Sequence, residues 1–238
     1  MQPDLRPSRI AVRNLHAYYG ESHVLHGIDL DVRKGELVSL LGLNGAGKTS
    51  LLRAIMGTLI TRKGSISIDG QRVDAWPSFR IARLGVGYIP EERGIYSTLS
   101  VYENLVLPPV LKPGGLTLGE IYTLFPNLAD RGSTPGTKLS GGEQQMLAIA
   151  RVLRTGADVI LLDEPTEGLA PTIVMQIGAA LNLLKSRGAT ILLVEQRISF
   201  AVEFADRHHV LDEGKIVDQF ERAEAEQRID ELTHYLTV

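Results

Sequence analysis

Residues 42–49, with the sequence GLNGAGKT, have the types and spacing of a phosphate-binding loop. They fit the pattern G-x-x-x-x-G-K-[ST] between an apolar strand and a helix-like stretch, which is the context that the pattern requires. Glycines let successive backbone N–H groups turn toward phosphate oxygens, and the N-terminus of the next helix adds positive charge. Lys48 is expected to reach the β- and γ-phosphates of ATP, and Thr49 to bind Mg²⁺. The other residues expected to contact the nucleotide in this loop are Gly42, Asn44, Gly45, Ala46, Gly47 and Ser50.

Two acidic residues follow a buried strand in VILLDEPT, residues 159–166. The apolar run presents Asp163 and Glu164 at the carboxyl end of that strand, where ligands bind in open α/β sheets. Asp163 suits the surroundings of Mg²⁺, and Glu164 suits a base that polarises a water for attack on the γ-phosphate. Paired acids at this place are also common in helix-capping turns, but a phosphate loop upstream favours the catalytic interpretation.

The segment LSGGEQQ, residues 139–145, reads as the start of a helix. Ser140 would be the N-cap, and Glu143 stands three residues later, as in a capping box. Glycines at 141 and 142 permit close approach of another backbone or ligand. A helix N-terminus of this kind is also an anion site.

These residues need strands and helices to position them, and the apolar pattern supplies candidates. Strands that alternate with helices predict a parallel sheet with helices on both faces, and the early strands predict an added antiparallel layer. Short strands are expected near 10–12, 24–32, 37–41, 63–73, 85–90, 158–163 and 189–195, with a hairpin at 209–220. Helices are expected at 48–56, 101–105, 120–125, 141–153 and 172–188, and a charged terminal helix from 223. The Pro- and Gly-rich stretch 107–120 reads as loop.

Bulk composition excludes several classes of protein. The 238 residues contain no cysteine, which excludes disulfides and thiol catalysis, and the net charge of −3 argues against a nucleic-acid surface. No apolar run approaches the roughly 20 residues of a membrane-spanning helix. The first ten residues lack the apolar centre of a signal peptide, so a cytoplasmic location is expected. The six histidines lack the companion ligands of a zinc site.

In this order, GLNGAGKT, LSGGEQQ and VILLDEPT resemble the motifs of the ATP-binding subunit of an ABC transporter, and the resemblance covers essentially the whole chain. The resemblance implies a P-loop NTPase fold of the ABC ATPase type. Its parts are a RecA-like parallel core sheet, an N-terminal antiparallel β layer and a small helical subdomain. It implies one domain over 8–238, with the helical subdomain at about 98–155 and a C-terminal helix at 223–236. Two such subunits pair head to tail, so one chain holds two half-sites.

Further site residues follow from the same resemblance. In the partner's site, Ser140, Gly141 and Gly142 would contact the γ-phosphate. Tyr19 matches the residue that stacks on adenine, with Tyr18 as a competitor. Glu91 stands where most relatives have the glutamine that senses Mg²⁺. Gln196 stands at the histidine that usually contacts the γ-phosphate, and Ala170 replaces an aspartate.

Glu91, Ala170 and Gln196 together resemble one branch of the family, the second ATPase of branched-chain amino-acid uptake systems. The resemblance implies an importer ATPase that uses ATP and Mg²⁺ at the cytoplasmic face of the inner membrane. The implied partners are a sister ATPase, two membrane permease subunits and, indirectly, a solute-binding protein, without nucleic acid. Importers of urea, amides or aromatic acids, and a soluble ABC ATPase outside a transporter, are the alternatives. A small-molecule kinase would need a phosphoacceptor site, which the sequence does not supply.

Overall fold

A computed structural model describes residues 6–235 and contains ten strands and ten α-helices within that range. The strands are β1 Ser8–Tyr19, β2 Ser22–Arg33, β3 Leu37–Leu41, β4 Thr61–Ile68, β5 Gln71–Arg72, β6 Val86–Ile89, β7 Val159–Asp163, β8 Thr190–Glu195, β9 Arg207–Asp212 and β10 Lys215–Glu221. The helices are α1 Lys48–Met56, α2 Ser78–Ala82, α3 Val101–Val106, α4 Leu118–Leu124, α5 Pro126–Asp130, α6 Gly141–Arg154, α7 Pro171–Ser186, α8 Ile198–Phe204, α9 Arg222–Gln227 and α10 Ile229–Tyr235. None of the helices in the described range could span a lipid bilayer.

The expected antiparallel layer is a four-stranded sheet in the order β2-β1-β4-β5. Strand β1 is longer than the short run near 10–12 that the sequence predicts, because it continues to Tyr19. The polar residues Arg13 and Asn14 interrupt the apolar alternation, and a register shift between Val12 and Leu15 accommodates them. Beyond this irregularity the buried face resumes with Leu15.

The second sheet has six strands in the order β10-β9-β3-β8-β7-β6, and all neighbours are parallel except β10 and β9. Every residue of β3, β7 and β8 is buried, because helices cover one face of these strands and the antiparallel layer with α1 covers the other. Because β8 pairs with both β3 and β7, the carboxyl ends of these three strands are adjacent. The loops that begin at 42, 164 and 196 therefore meet at one edge of the sheet.

Helices α3 to α6 pack around a shared apolar cluster that includes Leu105, Ile121, Phe125 and Met146. Helices α3, α4 and α6 each begin with a complete capping box, which satisfies their first backbone N–H groups. The Pro- and Gly-rich stretch between α3 and α4 forms no regular element. Backbone hydrogen bonds to the end of α6 hold it in place, at 2.7 Å from Leu111 N to Thr155 O and 3.0 Å from Leu116 N to Leu153 O.

The single C-terminal helix expected at 223–236 is wrong, because the structure divides this segment into α9 and α10 at Arg228. The backbone of Arg228 is not helical. Its guanidinium lies 2.8 Å from a carboxylate oxygen of Asp218 and over the ring of Phe220. Ala225 of α9 and Leu232 of α10 are both buried in one apolar cluster. Residue 236, the expected end of this helix, lies outside the described residues, as does the end of the domain predicted at 238.

Candidate functional site

The phosphate loop runs directly into α1, whose N-cap is Gly47. At a φ of 108°, Gly47 has a backbone conformation that other residues rarely adopt, which explains a glycine at this place. Within the described part of the chain, no side chain caps α1, and its first turn contains no acidic residue. The first N–H groups of α1 and its positive end are therefore available to an anion. These features fit the phosphates of ATP.

Lys48, the charged residue of this loop, is buried, with 4% of its surface exposed. Its ammonium donates to the carbonyl oxygens of Gly42 at 2.8 Å and Leu43 at 2.9 Å. It also lies 3.0 Å from Oε1 of Glu164, which is itself buried. Protein oxygens thus surround the ammonium group that the sequence predicts to contact the β- and γ-phosphates. Lys48 and Glu164, two of the three residues predicted to be catalytic with Gln196, form an ion pair.

Asp163 is buried at the carboxyl end of β7 between two hydroxyl groups. Thr49 Oγ1 donates to its Oδ1 at 3.0 Å, and the Tyr88 hydroxyl donates to its Oδ2, also at 3.0 Å. Burial raises the pKa of Asp163 to about 6, and the negative charges of Glu164 and Glu91 add to the increase. A buried carboxylate beside a hydroxyl, with other acids nearby, is a set of oxygens that favours a cation.

The donor set also agrees with the way Mg²⁺ binds beside nucleotides. Among the described residues no three His, Cys, Asp or Glu side chains converge as a metal cage. Mg²⁺ usually binds through one or two protein groups together with substrate phosphates and water, so Thr49 and Asp163 are sufficient in number and kind. The residues therefore fit the ion that the sequence predicts.

Glu164 follows β7 with a φ of 44°, a left-handed conformation that is costly for a residue with a side chain. Its backbone N–H donates to the carbonyl of Val194 at 3.0 Å, which holds the strained turn against β8. Its two carboxylate oxygens each lie 3.3 Å from Nε2 of Gln196, which also donates to Oδ1 of Asn44. Gln196 is thus in direct contact with both Glu164, the predicted base, and Asn44 of the phosphate loop.

Tyr19 ends β1 and lies near α1, because its hydroxyl accepts a hydrogen bond from Arg53 Nη1 at 3.4 Å. The competitor Tyr18 is stacked on His23, with ring centroids 4.3 Å apart and planes 13° from parallel. The ring of Tyr18 is therefore already covered on one face. The adenine contact expected for Tyr19 stays a prediction.

Glu91 lies in the exposed loop that follows β6, and its charge acts on Asp163 as described above. The same loop reaches two parts of the site through its neighbours. Glu92 lies 3.4 Å from Arg53 of α1, and Arg93 donates to Gln144 of α6 at 3.3 Å. This loop therefore connects the phosphate-loop helix to the helix that begins at Gly141.

Ser140 and Glu143 form the expected capping box at the start of α6. The backbone N–H of Ser140 donates to Glu143 Oε2 at 2.7 Å, and the N–H of Glu143 donates to Ser140 Oγ at 3.3 Å. A Cβ on Gly142 would lie 2.8 Å from Ile173 of α7, so the packing of two helices already requires glycine there. Within the described residues, no hydrogen bond joins 140–142 to the phosphate loop, so a single chain does not bring these two groups together.

The sequence did not identify several residues that complete the site. Tyr88 donates a hydrogen bond to Asp163. The feature of the sequence that could have identified Tyr88 is its place near the end of β6, the strand that pairs with β7. Arg53 lies one turn after Thr49 on α1, a spacing that puts it on the same face as the loop. Glu167 has a raised pKa because its carboxyl hydrogen-bonds that of Glu164, and nothing in the sequence pattern indicated this contact.

Comparison with known proteins agrees with this geometry. Residues 25–167 match the family model described as ABC transporter. The chain is 40% identical over 203 residues to the high-affinity branched-chain amino acid transport ATP-binding protein BraG of Pseudomonas aeruginosa, covering 84% of this chain and 87% of that protein. It is 34% identical over 206 residues to the probable branched-chain amino acid transport ATP-binding protein LivF of Archaeoglobus fulgidus, covering 85% and 87%. It is 33% identical over 221 residues to the glutamine transport ATP-binding protein GlnQ of Bacillus subtilis, covering 90% and 91%.

Solved structures have the same fold. An ATP-binding subunit of an ABC transporter superposes with a TM-score of 0.81 at 30% identity, over 97% of this chain and 100% of that one. A dimeric post-hydrolysis ATP-binding cassette bound to ADP and Pi superposes with a TM-score of 0.79 at 24% identity, over 90% and 98%. From its motifs, its fold and these relatives, the chain belongs to the ATP-binding subunits of ABC transporters and is an ATP-hydrolysing cassette.

Proposed function

We propose that this chain powers an importer of branched-chain or related amino acids. The observation that carries the proposal is the 40% identity to BraG along most of both chains. Glu91, Ala170 and Gln196 add support, because the three together resemble the second ATPase of such systems. The identity to a glutamine transport cassette, 33%, is only somewhat lower. Sequence identity alone therefore distinguishes poorly between possible transported solutes. The cassette does not touch the solute, which the solute-binding protein and membrane subunits select.

We propose the following roles within the half-site of one chain. Lys48 exchanges its bond with Glu164 for the β- and γ-phosphates when ATP enters the loop. Glu164, released from Lys48, accepts a proton from the attacking water. Gln196 donates its amide to a γ-phosphate oxygen. A neutral amide makes a weaker bond to an oxyanion than a charged histidine does, so more of the catalytic effect falls to Glu164.

The binding contacts complete this proposal. Thr49 and Asp163 would hold Mg²⁺, with Glu91 acting through water, and the ion would supply positive charge beside the phosphates. The buried carboxyl of Asp163 must be ionised to do so, and its raised pKa makes this step sensitive to mild acid. Tyr19 stacks on adenine, beside the N-terminal half of α1. The loop residues from Gly42 to Ser50 enclose the phosphates through their backbone.

We propose that a second subunit completes the site in a head-to-tail dimer. Ser140, Gly141 and Gly142 would then face the γ-phosphate held by the partner, which accounts for their separation from the phosphate loop of their own chain. The dimeric form of the solved post-hydrolysis cassette supports the pairing of two such subunits. The partner is a sister ATPase or a second copy of this chain.

The proposed location is the cytoplasmic face of the inner membrane, bound to two permease subunits. Exposed apolar side chains on and near α3, namely Tyr96, Tyr102, Leu107 and Val110, support a protein contact on this side of the molecule. They lie next to the loop that carries Glu91. A contact there would act on the site through Arg53 and Gln144.

The test is solute uptake by membrane vesicles that contain this chain, its sister ATPase, both permease subunits and the solute-binding protein. We expect ATP-dependent accumulation of radiolabelled leucine, and none with the Lys48→Ala chain. Urea, acetamide and benzoate are tested in parallel. Accumulation of one of these without leucine would contradict the amino-acid proposal and leave the ATPase assignment intact.

A further inference from the structure

Glu195, the last residue of β8, has a buried carboxylate that the roles described above do not use. Only 2% of its surface is exposed, and it precedes Gln196 directly. Thr166, two residues after Glu164, lies against it and is 1% exposed. The carboxylate therefore sits between the loop that carries Glu164 and the loop that carries Gln196.

Each oxygen of this carboxylate serves one of the two loops. Oε1 accepts hydrogen bonds from Thr166 Oγ1 at 2.7 Å and from Thr166 N at 3.2 Å. Oε2 accepts from the backbone N–H of Gln196 at 3.1 Å and of Arg197 at 3.2 Å. Because Gln196 also contacts Glu164, these hydrogen bonds connect the loop after β7 and the loop after β8 in a closed network.

The groups that the structure describes as donors to this carboxylate are neutral. Within the described residues, no lysine, arginine or histidine forms an ion pair with Glu195, and its four donors are neutral groups. Burial raises its pKa, and the nearby charge of Glu164 adds to the effect. A buried anion without a cation is costly, so a neutral side chain would serve better if filling space were its only task. A carboxylate is the side chain that can accept on both oxygens at once.

We propose that Glu195 is a positioning residue that holds Glu164 and Gln196 in register for ATP hydrolysis by joining their two loops. This inference depends on the roles proposed above for Glu164 and Gln196. The contact between their side chains, at 3.3 Å, leaves little freedom, and misplacement of a catalytic group by about 1 Å can cost roughly a hundredfold in rate. Glu195 acts on the reaction only through these neighbours.

The test uses Glu195→Gln and Thr166→Val in the full-length chain. In Glu195→Gln, an NH₂ group that cannot accept a hydrogen bond replaces one carboxylate oxygen. One of the two loops therefore loses its hydrogen bonds to residue 195. We expect kcat to fall about tenfold while KM for ATP changes less than twofold, as for groups that act on the transition state. Thr166→Val should give a smaller loss of the same kind, and Thr166→Ser, which keeps the hydroxyl, should restore kcat.

A second readout does not need turnover. Amide hydrogen exchange of segments 163–170 and 195–200, measured without nucleotide, should be at least several times faster in Glu195→Gln, because its donors lose a partner. Glu36→Gln is the matched control. Glu36 is also a buried carboxylate, 1% exposed and bonded to Arg207 at 3.0 Å, but it lies at the opposite end of the sheet. It should lower thermal stability without changing kcat or exchange in the two segments.

The outcomes separate this inference from the proposed roles. If Glu164→Gln keeps wild-type turnover, the proposed roles fail. If Glu164→Gln loses turnover while folded Glu195→Gln keeps wild-type kcat and exchange, the positioning role of Glu195 is overturned. Equal losses of kcat in Glu36→Gln and Glu195→Gln, in proportion to stability, would likewise overturn it.

Discussion

At the scale of single residues, the two charges most suited to the chemistry neutralise each other. Lys48 and Glu164 form a buried pair at 3.0 Å, and each also contacts other groups of the site. In the proposed mechanism the phosphates of ATP, which carry several negative charges, would take the lysine from Glu164 and leave that carboxylate free to act as a base. Substrate binding would thereby release the base that accepts a proton from the attacking water.

Glu164→Gln is expected to retain ATP binding and lose hydrolysis. The amide keeps the shape of the side chain but cannot accept a proton, and general bases contribute roughly 10²- to 10⁴-fold to rate. The loss of the ion pair with Lys48 should leave the Kd for ATP unchanged or lower, because ATP no longer competes with Glu164. Steady-state ATP turnover and nucleotide-binding titrations measure both effects. Turnover within a factor of three of wild type would rule out the role of base.

At the scale of elements, β9 brings two adjacent histidines into the interior. His208 and His209 are each no more than 1% exposed, and they point to opposite faces of the sheet. His208 lies 2.7 Å from Ser39 Oγ, and its ring stacks on Phe220. Burial lowers the pKa of each to about 4, below the 6.5 of an exposed histidine. The core at β9 therefore requires both rings to be neutral.

The two buried histidines are expected to lower the free energy of unfolding as pH decreases from about 6.5 toward 4, whereas the raised pKa of Asp163 acts in the opposite direction. In this window the unfolded chain binds protons at both histidines and the folded chain does not, so acid favours unfolding. Each histidine contributes a loss of about 2 kcal/mol between pH 8 and pH 5. His209→Leu should remove one of these losses, as measured by urea unfolding at the two pH values. Val210→Ala, which lowers stability without a titrating group, should shift both values equally, and the same loss in His209→Leu as in wild type would contradict the assignment.

At the scale of the whole molecule, the two regions that we propose as half-sites lie apart within one chain. The phosphate loop and the carboxylates lie at the edge of the parallel sheet, whereas Ser140 begins α6 in the helical part. The loop from Glu91 to Arg93 connects the two through Arg53 and Gln144. A partner that closes over the nucleotide would therefore contact an element that is also tied to α1.

The Glu164→Gln chain is expected to form a dimer in ATP, alone or with its sister subunit. Slow hydrolysis preserves the γ-phosphate, which the second subunit would contact through the segment 140–142. Sedimentation velocity should show a species of about twice 26.0 kDa for the homodimer, or the summed mass for the pair. Adding Ser140→Arg should abolish the dimer but leave ATP binding at the phosphate loop intact. A monomer under both conditions in saturating ATP would contradict the head-to-tail arrangement.

Short motifs were readable in advance because each is local. The phosphate loop requires glycine at a positive φ, and a strand and a helix must flank it, so GLNGAGKT and its neighbours predicted both the turn and α1. The apolar runs ending at Asp163 and Glu195 predicted buried parallel strands for the same reason. The terminal helix was wrong because its break at Arg228 depends on Asp218 and Phe220 of another element, which helical spacing does not report.

The sequence by itself determined the family, the parallel sheet and the set of residues at its carboxyl edge, because these depend on spacing within a few residues and on apolar patterning. Only the tertiary structure decided which of these side chains touch. The bond between Thr49 and Asp163 spans 114 positions, and that between Asn44 and Gln196 spans 152. Such pairs follow from the strand order β3-β8-β7 and from side-chain rotamers in a packed interior. The local pattern of a single segment does not specify which distant residues it will contact.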